Sequence, residues 1–203
     1  MIRVQAGDLD QRIQVLALTK NENTYSWGKV GSVWAKGDLD TRSNLFSSIG
    51  IGARGMTFTV RSNRHLSLAN AFLWRGQHCF LTSIIPLADS PGYVQVKAAL
   101  VDLVNCIATW TPRDTKDALN RPIEGTPETV IFPAILTEKY RGNELEDVYR
   151  TLTQQRVLVT PKAIKLQAGA VVQIEAGAAY TVRSVMDLDE WKNEYEIEHQ
   201  EDV

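Results

Sequence analysis

Short stretches of alternating hydrophobic and polar residues recur along the whole chain, a period of two that is typical of β-strands with one face on a core. In Thr57–Arg61, for example, Phe58 and Val60 alternate with polar residues. Gly, Pro, Asn and Asp, which favour turns, bound these stretches. The pattern predicts strands at Gln11–Ala17, Lys29–Lys36, Met56–Arg61, Ala71–Arg75, Cys79–Ile85 and Tyr93–Val101, then at Asn105–Thr111, Thr129–Thr137, Gln155–Pro161, Val171–Glu175, Tyr180–Met186 and Asn193–Glu198.

The predicted strands have the same order and similar spacing in the two halves, which indicates an internal repeat. Matching residues recur first at an offset of 99 positions and then at 101. At 99, Ala35, Arg42, Asn44 and Val60 match Ala134, Arg141, Asn143 and Val159. At 101, Gly76, Leu81, Ser83, Ile84, Val94 and Val96 match Gly177, Val182, Ser184, Val185, Tyr195 and Ile197. We therefore predict two domains, 1–103 and 104–203, the second a diverged copy of the first.

In each half the longest segment without a strand pattern lies between the second and third strands. These segments are Gly37–Gly55 and Glu138–Thr153, and loops of this length in compact domains are usually functional or mobile. The first is rich in Gly and Ser, whereas Asn143–Leu152 has apolar residues spaced for two helical turns. The sequence thus predicts an all-β fold with a long loop after the second strand of each domain.

Length and composition are those of an ordinary globular protein. The 203 residues are enough for one or two domains with buried cores, and the hydrophobic and charged contents of 44% and 23% are average. No apolar stretch approaches the length of a membrane span, and the first residues lack the apolar core of a signal peptide. We therefore expect no membrane partner and no export.

The net charge of −2 conceals an asymmetry between the halves. Residues 1–103 contain 11 Lys and Arg against 7 Asp and Glu, a net +4, and residues 104–203 contain 11 against 17, a net −6. This division indicates that the halves face different neighbours, the alternative being two unremarkable surfaces. The sequence does not cluster Lys and Arg in the way that a dedicated DNA-binding face requires.

Few residues have the types and spacing that catalysis or metal binding requires. Cys79 and Cys106 lie in apolar stretches and are predicted to be small buried thiols. His65, His78 and His199 are not spaced as metal ligands. We therefore expect no metal site among these residues.

Two apparent ligand motifs have better structural explanations. Gly50-Ile-Gly-Ala-Arg-Gly55 has the spacing of a dinucleotide-binding loop, but it runs into a strand rather than a helix, which favours a flexible hinge. The acidic residues at positions 187, 189 and 190 are only a fragment of a calcium-binding loop and fit a turn before the last strand. The sequence therefore predicts no catalytic residue, no cofactor and no enzymatic activity.

Four segments of the first half resemble the bacteriophage head-tail joining, or head closure, protein family. These are Gly7-Asp-Leu-Asp-Gln-Arg-Ile-Gln-Val15, Tyr25-Ser-Trp-Gly28, Val33-Trp-Ala35 and Gly76-x-x-x-Phe-Leu-x-Ser-Ile84. Residues 104–203 resemble the family less closely, although Gly177-Ala-Ala-Tyr-Thr-Val-Arg-Ser-Val185 repeats the motif of the penultimate strand. Members are usually single domains of about half this length, so a tandem arrangement departs from the family pattern.

The resemblance implies that each domain is a small SH3-like β-barrel. It also implies that the loop after the second strand projects toward a DNA channel and contributes to its gate. By position, the channel-facing or gating residues in the first loop are Asp38, Asp40, Arg42, Ser43, Asn44, Gly50, Gly52 and Arg54. A second loop would contribute Arg141, Asn143, Glu144, Glu146, Asp147 and Tyr149.

The function that the resemblance implies is that of a structural neck protein in the virion, made in the cytoplasm of the host bacterium. It would form a homo-oligomeric ring of six or twelve copies, with portal or adaptor proteins above, tail terminator or tail proteins below, and phage double-stranded DNA passing non-specifically. The alternatives are a tail terminator or tail-tube adaptor ring and, from other classes, an unrelated tandem-barrel binding module or an enzyme. Trp27, Trp34 and Trp74 are candidate interface anchors, but we favour core positions for them.

Overall fold

The architecture comes from a computed structural model that describes residues 4–39, 54–112, 115–116, 122–123, 125–139, 155–175, 177–187 and 190–199. This part of the chain is all-β and contains no α-helix, and a single 3-10 turn at Ala6–Asp8 precedes the first strand. Hydrogen bonds link twelve strands into one large sheet, and two short strands pair separately. The predicted all-β class is therefore confirmed.

The twelve predicted strands are all present, with ends displaced by at most five residues. The strands are β1 Gln11–Asn21, β2 Thr24–Leu39, β3 Gly55–Arg61, β4 Asn70–Trp74, β5 Gln77–Pro86, β6 Tyr93–Val101, β7 Val104–Trp110, β8 Thr115–Lys116, β9 Pro122–Ile123, β10 Glu128–Lys139, β11 Gln155–Pro161, β12 Val171–Ile174, β13 Ala179–Asp187 and β14 Lys192–His199. The two-residue strands β8 and β9, which pair with each other, were not predicted.

The chain divides into two compact units. Among the described residues the first unit comprises 4–19, 26–39 and 54–103, and the second comprises 20–25 and the residues from Val104 onward. In the first unit the strands pair in the order β1-β4-β5-β6-β3-β2, and β2 also pairs with β1. In the second they pair in the order β7-β12-β13-β14-β11-β10, and β10 also pairs with β7. The two orders are the same when the six strands of the large sheet in each unit are numbered along the chain, leaving out β8 and β9.

Local irregularities recur at the same places in both units. The β5–β6 ladder shifts register between Leu81 and Ser83, and the β13–β14 ladder shifts between Val182 and Ser184. The connections after the third strand also match, because Ser62 N–H donates to the Gly92 carbonyl at 2.7 Å and Lys162 N–H donates to the Trp191 carbonyl at 2.8 Å. Bulges are specific local features of a fold, so their recurrence supports a duplicated unit.

Two details of the predicted residue matching are wrong. Val96 pairs with Ile84, and Tyr195 pairs with Val185, so the strand register matches Val96 with Tyr195 rather than with Ile197. The match is displaced by two residues because the connections before the last strand differ in length. The connection has six residues, 87–92, in the first unit and four, 188–191, in the second. A shift of two residues keeps every side chain on the same face, so alternation along the strand cannot reveal it.

The second detail concerns β3 and β11. Phe58 pairs with Val96, and Leu158 pairs with Tyr195, so Phe58 matches Leu158 and Val60 matches Thr160 rather than Val159. This one-residue error would place the opposite face of β11 in the core. It was not detectable from the sequence because β11 is buried on both faces, with Val157, Leu158, Val159 and Thr160 at most 2% exposed.

The core of the first unit is built by the inward residues of all six strands. Phe58 packs edge-on against the Phe72 ring at 5.6 Å and lies 6.3 Å from the Trp74 ring. Gly37, opposite Phe58 in β2, makes room for this packing, because a Cβ there would lie 2.7 Å from the Met56 methyl carbon. The full cluster is Ile13, Val15, Ala35, Met56, Phe58, Val60, Phe72, Cys79, Leu81, Val94, Val96, Ala98 and Leu100.

The second unit differs in having a buried polar network beside its apolar core. The Tyr195 hydroxyl, 1% exposed, donates to the Ile164 carbonyl at 2.8 Å and accepts the Leu166 N–H at 3.1 Å. The Asn193 amide donates to the same carbonyl at 2.9 Å and to the Lys162 carbonyl at 3.2 Å. These bonds fix the β11–β12 connection to β14, whereas the matching residue in the first unit, Val96, has no polar side-chain atom.

Candidate functional site

The structure describes only two of the predicted gating residues, and both are exposed at the base of the first loop. Asp38 lies in β2 opposite Thr57, and Arg54 precedes β3 and accepts the Leu100 N–H with its carbonyl at 3.0 Å. Asp40, Arg42, Ser43, Asn44, Gly50 and Gly52 lie outside the described residues. So do all six residues of the second predicted loop, Arg141, Asn143, Glu144, Glu146, Asp147 and Tyr149, and the whole predicted helical segment Asn143–Leu152.

The predicted loop bounds need correction. Gly37–Leu39 belongs to β2 and Gly55 begins β3, while the first residues of the second predicted loop belong to β10. The antiparallel ladders close at Leu39 with Met56 and at Lys139 with Gln155. Both loops are therefore shorter than predicted, because ladder hydrogen bonds extend the strands beyond the hydrophobic pattern. Each loop connects the second and third strands of its unit.

Beside the loop base, the outer side of β2, β3 and β6 carries an exposed surface of mixed apolar and basic character. We define this basic face as Val30, Trp34, Lys36, Arg61 and Lys97. Lys36 lies opposite Thr59, which lies opposite Gln95, and Arg61 and Lys97 are two residues along from these positions on the same side of the sheet. Lys36, Arg61 and Lys97 are all exposed, with the carboxylate of Asp38 beside them.

Trp34 is the largest side chain of the basic face. Its side chain is 57% exposed, and it borders an open cleft of about 560 Å³. The cleft is lined by Leu9, Val33, Trp34, Arg61, Ser62 and Asn63. The arrangement offers an aromatic surface, an apolar recess and a guanidinium group within one small area.

The prediction that the tryptophans are core residues is wrong for Trp34. Trp74 packs against the core and donates its indole N–H to Gln11 Oε1 at 2.6 Å, and Trp27 is half-buried, 5.2 Å from the His78 ring. Trp34 points outward because its neighbour Ala35, at 0% exposure, occupies the inward position. In Val33-Trp34-Ala35 both phases of the alternation are apolar, so the sequence alone gives no basis for choosing between them.

Burial shifts the pKa values of three side chains, one histidine and two cysteines. Desolvation lowers the pKa of His78 to about 4, and Nε2 of this histidine has no hydrogen-bond partner within the described structure. Desolvation raises the pKa of Cys79 to about 11, against a smaller opposing effect of a backbone hydrogen bond from Trp74. Desolvation and, secondarily, the Glu175 charge raise the pKa of Cys106 to about 12. Both thiols are buried, as predicted, and are neutral at neutral pH.

Within the described ranges, no cluster of three or more His, Cys, Asp or Glu side chains is arranged to hold a metal ion. No helix in this part of the chain is long and apolar enough to span a membrane. In comparisons with known proteins, no family model matches the chain and no curated protein matches it. The function is therefore inferred from the residues and geometry described above.

Proposed function

We propose that this chain is a structural component of the bacteriophage head-to-tail connector. It forms a homo-oligomeric ring below the portal or adaptor, closes the packaged head, joins the tail and lets DNA pass at ejection. In this proposal the protein is made in the host cytoplasm, resides in the neck of the virion and has no catalytic role. It contacts the portal or adaptor on one side and tail proteins on the other.

The observation that carries this proposal is where the family-like residues fall in the strand order. Val33-Trp34-Ala35 lies in the second strand of the first unit. Gly76, with a φ of 81°, closes the two-residue turn that leads into β5, the penultimate strand. The motif residues Leu81, Ser83 and Ile84 follow in that strand. The resemblance to head closure proteins expects Trp-Ala in the second strand, near its end, and the glycine motif at the penultimate strand, and this agreement in strand order supports the proposal.

We further propose that each unit is an SH3-like β-barrel. The strand pairings support this, since in each unit six strands pair in a cycle that returns to its first member. A closed cycle leaves no unpaired edge, which is the general advantage of a barrel. If each chain carries two barrels, six chains present as many barrels as twelve chains of a one-barrel relative. The proposed ring therefore contains six copies, or twelve if it keeps the copy number of a one-barrel relative.

The gating role is assigned to the segment between β2 and β3, with the β10–β11 segment as a second copy. Its content of Gly and Ser allows alternative backbone conformations at low steric cost. Asp40 in the segment and Asp38 at its base in β2 reduce its affinity for phosphate, and Arg42 and Arg54 are proposed to hold it to a neighbouring subunit. Double-stranded DNA then passes without sequence-specific contacts.

Deletion of the gene from a phage that carries it tests the proposal. Without a closure ring, packaged heads should lose their DNA and accumulate beside complete, unattached tails. Adding the purified chain to heads that still hold their DNA should restore joined, infectious particles. A variant with an altered loop but intact strands is the matched control, because it folds correctly but lacks the proposed gate.

The alternative ring proteins predict a different phenotype in the same experiment. Loss of a tail terminator or tail-tube adaptor leaves stable, DNA-filled heads together with tails of abnormal length or incomplete ends. That result, or normal virions in the absence of the gene, would contradict a closure function. DNA content of the heads and tail length are both measured on the same particles by electron microscopy.

A further inference from the structure

We propose that the basic face of one copy of this chain docks on an apolar pair in the second unit of another copy. The apolar pair is Ile107 and Ile131, directly opposite each other in the β7–β10 ladder. This inference deepens the proposed function, because it names the surfaces through which a ring would form. It does not depend on what the ring does.

The first surface is apolar along one strand. Val30 and Trp34 are 61% and 57% exposed, the two highest values among the large hydrophobic residues of the described chain. They are four residues apart on β2, which corresponds to about 13 Å along an extended strand. The cleft beside Trp34, with Leu9 and Val33 in its walls, can seat an additional apolar side chain. Exposed hydrophobic residues that occur singly need no explanation, but an exposed tryptophan beside an apolar recess is a candidate anchor for a binding partner.

The second surface has the complementary properties. Ile107 and Ile131 are 38% and 41% exposed, and directly opposed residues in an antiparallel ladder have Cβ atoms about 5 Å apart. Beside them, the hydroxyl groups of Thr109 and Thr129 lie 3.3 Å apart. A compact pair of β-branched side chains has a shape suited to a cleft bordered by an aromatic ring.

The charge difference between the two halves favours the second unit of another copy, rather than the first, as the partner of the basic face. The basic face carries three cations against Asp38, and residues 1–103 as a whole carry +4. Two basic faces would therefore repel each other, which disfavours a symmetric contact of this surface with itself. Residues 104–203 carry −6, so approach of the second unit to the basic face is electrostatically favourable, and electrostatic complementarity contributes to specificity and association rate.

A contact between two different surfaces of the same chain is heterologous. Such a contact leaves one free surface of each kind at the ends of every oligomer, so it propagates until the rotation closes a ring. The Trp34 side chain is the expected anchor, since large aromatic side chains are enriched among the residues that dominate binding energy.

The test uses variants of the 203-residue chain that each block one surface. Trp34→Asp blocks the basic face and Ile131→Asp blocks the apolar pair, and Val30→Asp is a second variant of the first surface. Val185→Asp, at a position 43% exposed outside both surfaces, is the matched control. Far-ultraviolet circular dichroism and urea unfolding establish that each variant is folded before assembly is measured.

Mass photometry and sedimentation velocity should show concentration-dependent oligomers for the wild type and the control. Each blocking variant alone should lose these oligomers. A mixture of Trp34→Asp and Ile131→Asp should form a one-to-one dimer and nothing larger, because only one complementary pair of surfaces remains. Raised salt concentration should weaken assembly of the wild type.

Three results would overturn the inference: a wild-type chain that stays monomeric at its highest soluble concentration, folded blocking variants that assemble as the wild type does, or a mixture of variants that forms no dimer. These measurements use purified protein alone. They can fail while the gene deletion still yields unclosed heads, and they can succeed while the deletion gives another phenotype, so the two proposals are tested separately.

Discussion

Replacement of His78 tests whether this histidine is buried in its neutral form. The imidazole is 8% exposed, lies against Trp27, and has a pKa lowered by burial from 6.5 to about 4. As the pH falls below 6.5, the unfolded chain binds a proton that the folded chain does not bind. Stability conferred by this group is therefore fully present above pH 6.5 and is lost progressively as the pH falls toward 4.

The magnitude follows from the two pKa values. The difference between 6.5 and about 4 corresponds to a limiting loss of about 3 kcal/mol at pH values well below 4. About 2 kcal/mol of this should be lost between pH of about 7.5 and about 5. His78→Leu removes the titrating group at similar volume, so the free energy of unfolding of this variant should decline less over that range by the same amount.

Urea unfolding followed by tryptophan fluorescence at several pH values gives both free energies. Comparing the wild type with His78→Leu removes the contribution of the carboxylates, which titrate in both proteins. His65→Leu, which replaces an exposed histidine, should keep the steep wild-type dependence. Parallel pH profiles for the wild type and His78→Leu would refute the assignment of a buried neutral imidazole.

Three further predictions concern the second unit, the thiols and the first loop. Tyr195→Phe leaves the buried Leu166 N–H and Ile164 carbonyl without their hydroxyl partner and should lower the free energy of unfolding by about 1–3 kcal/mol; stability equal to that of a Tyr93→Phe control would contradict it. Cys79 and Cys106 should not react with an aromatic disulfide reagent at neutral pH until urea unfolds the chain, because burial keeps both thiols protonated; rapid labelling of the folded protein would show the burial to be wrong. Shortening Ser43–Gly52 to a tight turn removes no residue of β2 or β3, so circular dichroism should be unchanged while DNA retention or infectivity of assembled particles falls; unchanged DNA content and infectivity would exclude a gating role.

Strand positions were predictable because the hydrophobic alternation is strong where one face of a strand is buried. The prediction for β6 matches the structure at both ends, since Val94, Val96 and Ala98 alternate with half-buried or exposed residues. The extension of β2 to Thr24 and Leu39 was not predictable, because hydrogen bonds to neighbouring strands continue through residues without an apolar pattern. The pair β8–β9 has two residues in each strand, too few for any periodicity.

The candidate surfaces were less predictable than the strands. The exposure of Trp34 depends on which phase of Val33-Trp34-Ala35 faces inward, and that choice is made by the pairing of Ala35 with Val60. The basic face likewise joins Lys36, Arg61 and Lys97, which are far apart in sequence and meet only through the β2–β3–β6 register. The isoleucine pair is a cross-strand contact of the same kind. Composition indicated a basic and an acidic half, but not where either surface lies.

The most direct test of the proposed neck function is to locate the protein in the virion. A phage carrying the gene with a small C-terminal tag, labelled with gold-conjugated antibody and imaged by electron microscopy, should show gold at the junction between head and tail in DNA-filled particles. Untagged particles are the control for non-specific labelling. Gold along or at the far end of the tail, or tagged protein absent from purified virions, would contradict the account.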